Sequence, residues 1–493
     1  MSISDAQYAA WLAADGKQRE ILAVVECNHL GAEITRYLSR YGYTTKPGEA
    51  PASTPFLACL SGGLTFERSI GITAGDPSIQ VSAGDLEVEN RDGRLDAWFG
   101  DVWVKRGINI YLGDPTWAFA DFRVIVVGTI ADIQPQGRHA FKFWLSDKME
   151  RLNFPISQTL AGGTTNPTAL LPLAFGEVYN ATPLLVDAAT LKYAVHAGAV
   201  ESIIEVRDSG LTVNNTPTVA AGTFTLNQAR YGQITCDIQG AKVGGVYLKT
   251  VAKIIEEIVT HYGAPGQQLA PAEIDAANFT AWNAAYPQTI GLYVEGKRNL
   301  LEVCASVLRS LQASMYFSRA GLLRLWGFPP SIGAAAVEFT KADIVEDSIE
   351  FSQFIPAAPA AVLGWGKNWT VQTSGMAGGV LDAVASSFGR EYLDVVAQDA
   401  AAVTLYRYTT APTREETLLV VQAEAQTEAN RRVSWRSTMR RIVRFTARSN
   451  AYLRELGEYA GVTHDRLGGR IVGIIIGIRE DLAANRVTLE VVY

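Results

Sequence analysis

The sequence predicts an α+β, β-rich protein of several domains, with β-barrel or sandwich modules at both ends and helix-containing modules between them. Apolar residues alternate with period 2 between turn signals near both termini, which is typical of half-buried strands. Two central segments instead repeat apolar residues with the 3.6-residue period of an amphipathic helix. At 493 residues the chain is also too long for a single hydrophobic core.

Residues 1–160 form the predicted N-terminal β-rich domain. Residues 101–113, 122–133 and 139–145 carry the patterns of strands, and a meander of such strands closes into a barrel or a sandwich. Between two strand candidates, Asp92-Gly93 predicts a hairpin turn, because glycine supplies the positive φ that such turns require. In the first candidate strand, the residues expected on one face are Val102, Val104, Ile108, Ile110 and Leu112.

A linker rich in Gly, Thr, Asn and Pro, residues 161–168, leads into a second β-rich segment that we place at residues 161–245. A helix-hairpin α+β domain is predicted at residues 246–345. Its helices are expected at residues 248–261 and 299–312, and Asn299 and Glu302 suit a capping box that opens the second. The strand candidates 315–317 and 322–328 indicate a hairpin. The buried stripe of the second helix is expected to be Leu300, Val303, Val307, Leu308 and Leu311.

Residues 346–412 have no clear period and are rich in Ala and Gly, so they are predicted to be irregular or inserted. Residues 413–493 are predicted to form a C-terminal helix plus β-domain. Thr413-Arg414-Glu415-Glu416 matches a capping box, which predicts a helix from there to about Asn430. Strands are expected at residues 439–447, 470–478 and 486–492.

The composition argues against several classes of function. A formal charge of −7 without a basic stripe disfavours nucleic-acid binding as the main role. The N-terminal residues, Met1 to Asp15, lack the basic region of a signal peptide and include Asp5, and no apolar run is long enough to span a bilayer. With 48% apolar and 19% charged residues, the chain has apolar surface to spare for subunit contacts. The cysteines, predicted to be buried free thiols because they are widely scattered, are Cys27, Cys59, Cys236 and Cys304.

Motifs that carry chemistry are missing from the sequence. The pair His464-Asp465 has no nucleophile elbow to complete a triad, and Gly364-Trp365-Gly366-Lys367 lacks the spacing of a phosphate-binding loop. An acidic group at Glu87, Glu89, Asp92 and Asp96 does not fit the calcium-loop template, so a solvated strand face is favoured. We therefore predict no catalytic residue, no cofactor and no metal site. The histidines, none at metal-ligand spacing, are His29, His139, His196, His261 and His464.

The densest group of basic residues lies near the C-terminus. On the predicted strand 439–448, Arg440, Arg444 and Arg448 share one face, because side chains alternate along a strand. Two interpretations stay open. The face is either a solvated surface with subunit salt bridges, or a charged wall of a channel through which protein or DNA passes.

Several segments resemble proteins of one class. Residues 37–45 (YLSRYGYTT), 85–96 (DLEVENRDGRLD), 172–180 (PLAFGEVYN) and 481–490 (DLAANRVTLE) are similar to recurring segments of tail-tip and baseplate hub proteins of long-tailed bacteriophages. The resemblance covers most of the chain and is loose between residues 356 and 410.

The resemblance implies a structural, non-enzymatic hub subunit of a virion tail. It implies a homotrimer in which two similar β-domains per subunit give a pseudo-sixfold ring. The implied partners are the tail tube or a distal tail protein, the central tail fibre and the tape measure protein, with transient passage of DNA. Assembly in the host cytoplasm and residence in the virion follow from the same resemblance. Alternatives are a distal-tail or adaptor ring subunit, and a cell-wall-cleaving or carbohydrate-binding tail protein, which ten Trp residues slightly favour.

Overall fold

The computed structural model describes residues 2–14, 16–73 and 76–493. Strands account for 42% and helical turns for 19% of the chain, so the predicted α+β, β-rich fold class is confirmed. Within the described residues, no helix is both long and apolar enough to cross a membrane.

The N-terminal part is a closed β-barrel preceded by helix α1 (Asp5–Ala13). Closure occurs at Cys59, whose N–H donates to Ser39 O (3.0 Å) while its carbonyl accepts from Glu89 N (2.7 Å). The strands are β1 (Glu20–His29), β2 (Ala32–Ser39), β3 (Tyr43–Thr44), β4 (Pro55–Ala58), β5 (Leu60–Ser69), β6 (Gly71–Thr73), β7 (Asp76–Ser78), β8 (Ala83–Glu89), β9 (Gly107–Gly113), β10 (Arg123–Gln136) and β11 (Ala140–Ser146). The continuous strand 55–69 therefore pairs with β2 through its first half and with β8 through its second. Between β8 and β2, the barrel runs in the order β8-β11-β10-β9-β1-β2.

A smaller β-module with its own apolar core follows. Its strands are β12 (Leu173–Ala181), β13 (Leu184–Asp187), β14 (Lys192–Ala194), β15 (Val200–Asp208), β16 (Leu211–Thr212), β17 (Asn215–Thr218), β18 (Thr223–Leu226), β19 (Ile234–Val243) and β20 (Val246–Tyr247). They form two sheets, one in the order β16-β15-β19-β12 and the other in the order β13-β14-β18-β17.

The helical middle confirms the predicted helix-and-hairpin unit. Asn299 caps its helix, because the side-chain oxygen accepts from the N–H groups of Leu301 and Glu302. All five residues of the predicted stripe are buried. The elements are α2 (Val251–His261), α3 (Ala276–Ala285), β21 (Gly291–Val294), α4 (Leu300–Arg309), β22 (Ala313–Phe317) and β23 (Leu323–Gly327).

Residues 337–493 build a second closed barrel and a small sheet with three helices. The elements are β24 (Val337–Phe339), β25 (Glu350–Ile355), β26 (Ala360–Trp365), α5 (Asp382–Phe388), β27 (Leu393–Gln398), α6 (Ala400–Tyr406), β28 (Arg414–Glu416), α7 (Gln422–Arg436), β29 (Arg440–Ala447), β30 (Tyr459–His464), β31 (Gly469–Asp481) and β32 (Arg486–Val492). The segment 337–345 closes the barrel. It pairs with β30 on one side, and Val345 N donates to Thr446 O (2.8 Å) on the other.

Two features of the N-terminal barrel differ from the sequence prediction. The strand expected from residue 101 begins only at Gly107, and Val102 and Val104 are 53% and 44% exposed. Lys105 has φ +65° and turns the chain, and Trp103 rather than the two valines enters the core. The predicted turn at Asp92-Gly93 is present. The strands on either side of it, β8 and β9, do not pair with each other, so the prediction of a hairpin is wrong.

Two predictions for the C-terminal half are also wrong. Residues 346–412 are not irregular, because β26 and β27 pair along six residues and two helices flank β27. No helix starts at Thr413. Residues Arg414–Glu416 instead form β28, which pairs in parallel with β26, and the helix begins at Gln422.

Candidate assembly surface

The two barrels are joined edge to edge by backbone hydrogen bonds. Strand β5 runs antiparallel to β31, with Thr65 opposite Asp481 and Ser69 opposite Gly477. Beyond the pairing, Leu482 N donates to Leu64 O (3.0 Å), and Ile70 N donates to Ile476 O (2.8 Å). One 15-stranded sheet therefore runs through both barrels in the described chain, and one apolar core lies in both.

Buried charges lie at this seam. Arg68 of β5 is 2% exposed and donates to Glu455 (3.0 Å) and to Glu480 of β31 (3.3 Å), which is 1% exposed. Arg319, from the β22–β23 turn, lies 3.6 Å from Glu455. Burial raises the pKa of Glu480, although Arg68 and Arg319 oppose the shift. The charges compensate one another, so the seam is polar at its centre without carrying a large net charge.

The sequence contains a signal for Arg68 and Glu480 that is not among the predictions above. Arg68 lies two residues after buried Phe66 in β5, and Glu480 lies two residues after buried Ile478 in β31, so each shares a strand face with a core residue. A charged side chain at a core-facing position indicates a buried partner, because an unpaired buried charge is costly.

The three arginines of the cationic strand lie in three different settings. Arg440 stacks on Trp435, with the guanidinium carbon 4.1 Å from the ring centroid. Arg444 is 48% exposed and binds Glu490 of β32 through Nε (2.8 Å). Arg448 follows β29, is exposed, and lines a large cleft. Between the first two, Ile442 is buried in a separate apolar cluster, so this face of the strand is not continuously cationic.

His196 and His29 each have a defined hydrogen-bond partner. His196 is buried, its Nδ1 accepts from Ala174 N (3.0 Å), and burial lowers its pKa to about 4. His29 binds Asp101 (2.6 Å), which also binds Arg36. The predicted burial of the four free cysteines is confirmed. Over residues 2–14, 16–73 and 76–493, no three His, Cys, Asp or Glu side chains are grouped so as to hold a metal ion.

The chain matches no protein-family model and no curated protein. Among solved structures it is similar to a tail protein from Neisseria meningitidis MC58 (TM-score 0.41, 10% identity, covering 96% of each chain). It is similar to the 43 kDa tail protein of prophage MuSo2 from Shewanella oneidensis (TM-score 0.39, 12% identity, 96% of each chain). A third similar structure is that of prophage tail protein gp18 from Listeria monocytogenes EGD-e (TM-score 0.41, 8% identity, covering 96% of this chain and 94% of that chain). At these values the likeness carries no functional argument.

Proposed function

We propose that the chain is the hub subunit of a bacteriophage tail tip or baseplate, which links the tail tube to the central fibre and forms part of the genome-delivery channel. The observation that carries this proposal is the pair of closed β-barrels, joined through β5 and β31 in one chain. Three such subunits around an axis would present six barrels to a sixfold tube and keep threefold symmetry for a fibre. Closed cyclic symmetry is the general rule for homo-oligomers.

The seam supports a rigid pair of barrels. The junction combines five residue pairs between β5 and β31, a shared apolar core and the ion pairs of Arg68. Rigid barrels suit a ring, because the angle between the two units in each subunit must be fixed for the ring to close. In this proposal the tail tube or a distal tail protein, the central fibre and the tape measure protein are the partners, and DNA passes transiently.

The oligomeric state tests the proposal. Native mass spectrometry and light scattering of the purified protein should give three times the chain mass of 53.3 kDa. A hexamer would favour the distal-tail or adaptor ring instead. A protein that stays monomeric at high concentration, and also fails to join purified tail tubes, would contradict the hub.

We also propose that the role is structural and not enzymatic. The alternative of a cell-wall-cleaving tail protein predicts clearing in a zymogram on host peptidoglycan. We expect no clearing. Clearing that a single carboxylate substitution abolishes would contradict this proposal.

A further inference from the structure

A cleft of about 1340 Å³ lies between the two barrels. One wall comes from the N-terminal part, with Ala13, Ala14, residues 16–21, residues 40–42 and Pro115. The other wall comes from the C-terminal barrel, with Ala342, Asp343, Val345, Glu346, Arg448, Asn450 and residues 482–486. Because the walls belong to different barrels, the cleft exists only when the seam is formed.

Among the described residues of this cleft, basic side chains outnumber acidic ones. The basic ones are Lys17, Arg19, Arg40, Arg448 and Arg486, and the acidic ones are Glu20, Asp343 and Glu346. The excess is positive, whereas the whole chain has a formal charge of −7. A local positive concavity in an acidic protein is a feature that the average composition does not explain.

The arginines of the cleft lack carboxylate partners. Elsewhere in the chain most arginines form ion pairs, but in the described residues Arg19, Arg40, Arg448 and Arg486 form none. Glu20 interacts electrostatically with Arg40 but forms no ion pair with it. Its carboxylate instead accepts hydrogen bonds from the backbone N–H groups of Ile21, Arg40 and Tyr41.

The other described carboxylates of the cleft do not pair with these arginines either. Asp343 binds Thr340 and Asn450. Glu346 is exposed and forms no ion pair with a described residue. Among the described residues, none of the four guanidinium groups therefore has a carboxylate within ion-pair distance.

Arg19 gives a second observation that favours an anionic ligand. It is partly buried, and its Nη1 has no hydrogen-bond partner within the described residues. Burial lowers its pKa, although Tyr452 and Tyr8 oppose the shift. A guanidinium that is removed from water without a counter-charge is unfavourable, and an incoming anion would relieve that cost.

We propose that this cleft binds a carboxylate-rich polypeptide segment of a neighbouring tail component. The identity of the partner as a tail component rests on the proposed function, whereas the ligand chemistry rests on the cleft alone. Arginine forms bidentate hydrogen bonds with carboxylates, so four unpaired arginines suit a run of Asp or Glu side chains.

A polypeptide fits better than a nucleic acid for two reasons. Gln18, Asn450, Asn485 and Glu346 add hydrogen-bonding groups to the walls, and they suit the mixed donors and acceptors of a peptide backbone. A nucleic acid carries a phosphate at every step, so the overall negative charge of the protein repels it over a long length. A short acidic segment meets only the local positive field.

The test is a titration of the full-length protein with a fluorescein-labelled oligoglutamate of roughly ten residues, an extended length of about 34 Å, followed by anisotropy. Matched probes are an oligoglutamine of the same length, a single-stranded oligothymidylate and inorganic phosphate as competitor. The cleft variant is Arg40→Gln/Arg448→Gln/Arg486→Gln. The control variant, Arg138→Gln/Arg309→Gln/Arg441→Gln, removes three exposed arginines outside the cleft that form no ion pair in the described chain.

We expect oligoglutamate to bind, oligoglutamine not to bind, and the cleft variant to weaken Kd at least about tenfold while the control variant does not. Added salt should weaken the binding. Absence of oligoglutamate binding, or equal weakening in both variants, would overturn the proposal. Equal affinity for oligothymidylate, or full displacement by phosphate, would overturn the assignment to a polypeptide. The anisotropy titration does not depend on the oligomeric state of the protein. A mass other than that of a trimer would therefore contradict the proposed hub but not the proposed binding of an acidic polypeptide in the cleft.

Discussion

Arg68 and Glu480 are separated by 412 residues in sequence and meet in the core between the barrels. Neither charge is solvated by bulk water, because both side chains are almost completely buried. Removing one partner from such a pair is more harmful than removing both, since a lone buried charge keeps its full desolvation cost. The pair therefore makes the position of one barrel depend on the other.

We predict that Arg68→Met lowers the free energy of unfolding by about 3 kcal/mol near neutral pH. Loss of the guanidinium should raise the pKa of Glu480 further above its ordinary range. A carboxyl whose folded pKa is raised makes the folded state lose stability as pH rises through that range. The deficit should therefore be larger at about pH 7.5 than at about pH 5 in urea unfolding.

The double variant Arg68→Met/Glu480→Met is the control for this pair. It should be more stable than Arg68→Met, because no uncompensated charge stays buried. A deficit of Arg68→Met that is independent of pH would show that lost packing, and not charge, explains the result.

At the scale of elements, local signals succeeded where they agreed with the tertiary environment. Helices α2 and α4 each have an apolar stripe of helical period on a buried face, and both were predicted. Helix α4 also has the predicted cap, Asn299. The capping-box signal at Thr413 failed, because Glu415 instead pairs with Arg432 and Arg436 of α7 and its backbone pairs with β26. A four-residue motif cannot tell a helix start from a short parallel strand when the deciding partners lie elsewhere.

We predict that Asn299→Ala lowers the free energy of unfolding by about 1 kcal/mol, because two N–H groups of α4 lose their acceptor. Asn299→Ser is the matched control, since it keeps a capping oxygen but, like alanine, loses the contact with Asn153. The difference between the two variants in urea unfolding measures the cap. Equal stability of both would show that the cap contributes nothing.

Gly176 of β12 permits a close approach of two strands. It has φ +63°, and a side-chain carbon there would overlap the carbonyl oxygen of Ile290, just before β21. We expect Gly176→Ala to lower the free energy of unfolding by more than about 3 kcal/mol, seen as loss of soluble protein or a large shift in urea midpoint. Gly137→Ala is the control, because Gly137 has φ +67° but no heavy atom near that position. Similar losses in both would show that the backbone angle alone is responsible.

At the scale of the whole molecule, assembly should depend on residues that matter little for the fold of one subunit. Arg440, Arg444 and Arg448, which share one face of the segment 440–448, are candidates for the lumen of a ring or for contacts with a neighbouring subunit. In one chain Arg444 already has carboxylates of its own subunit, whereas Arg448 has none in the described residues. Repetition of such charges around an axis strengthens the field in a concave channel.

We predict that Arg440→Gln/Arg444→Gln/Arg448→Gln lowers the urea midpoint of the subunit only slightly. An exposed ion pair such as that of Arg444 contributes only ~0–1 kcal/mol, and the stacking of Arg440 on Trp435 contributes about 1 kcal/mol. The same variant should impair ring assembly or the yield of infectious particles. The variant Arg138→Gln/Arg309→Gln/Arg441→Gln serves as the control for loss of charge. Normal particle yield, or guanidinium groups on the outer wall of the assembled tail in a cryo-EM map, would contradict this prediction.

The sequence by itself determined the fold class, the two helices α2 and α4, the hairpin of β22 and β23, and the three C-terminal strands β29, β31 and β32. These features depend on neighbours within one turn or one strand, so periodicity and capping residues report them. It did not determine the segment 360–416, where β27 and β28 pair with β26 and α7 packs against the sheet.

Only the tertiary structure decided how the barrels close and meet. Closure at Cys59, the Arg68–Glu480 pair and the cleft around Arg448 each join residues that are distant in sequence. Alternation along a strand shows which face is buried, but not which distant strand covers it. The choice of partner is set by packing and by compensation of buried charge over the whole chain, and no local pattern contains that information.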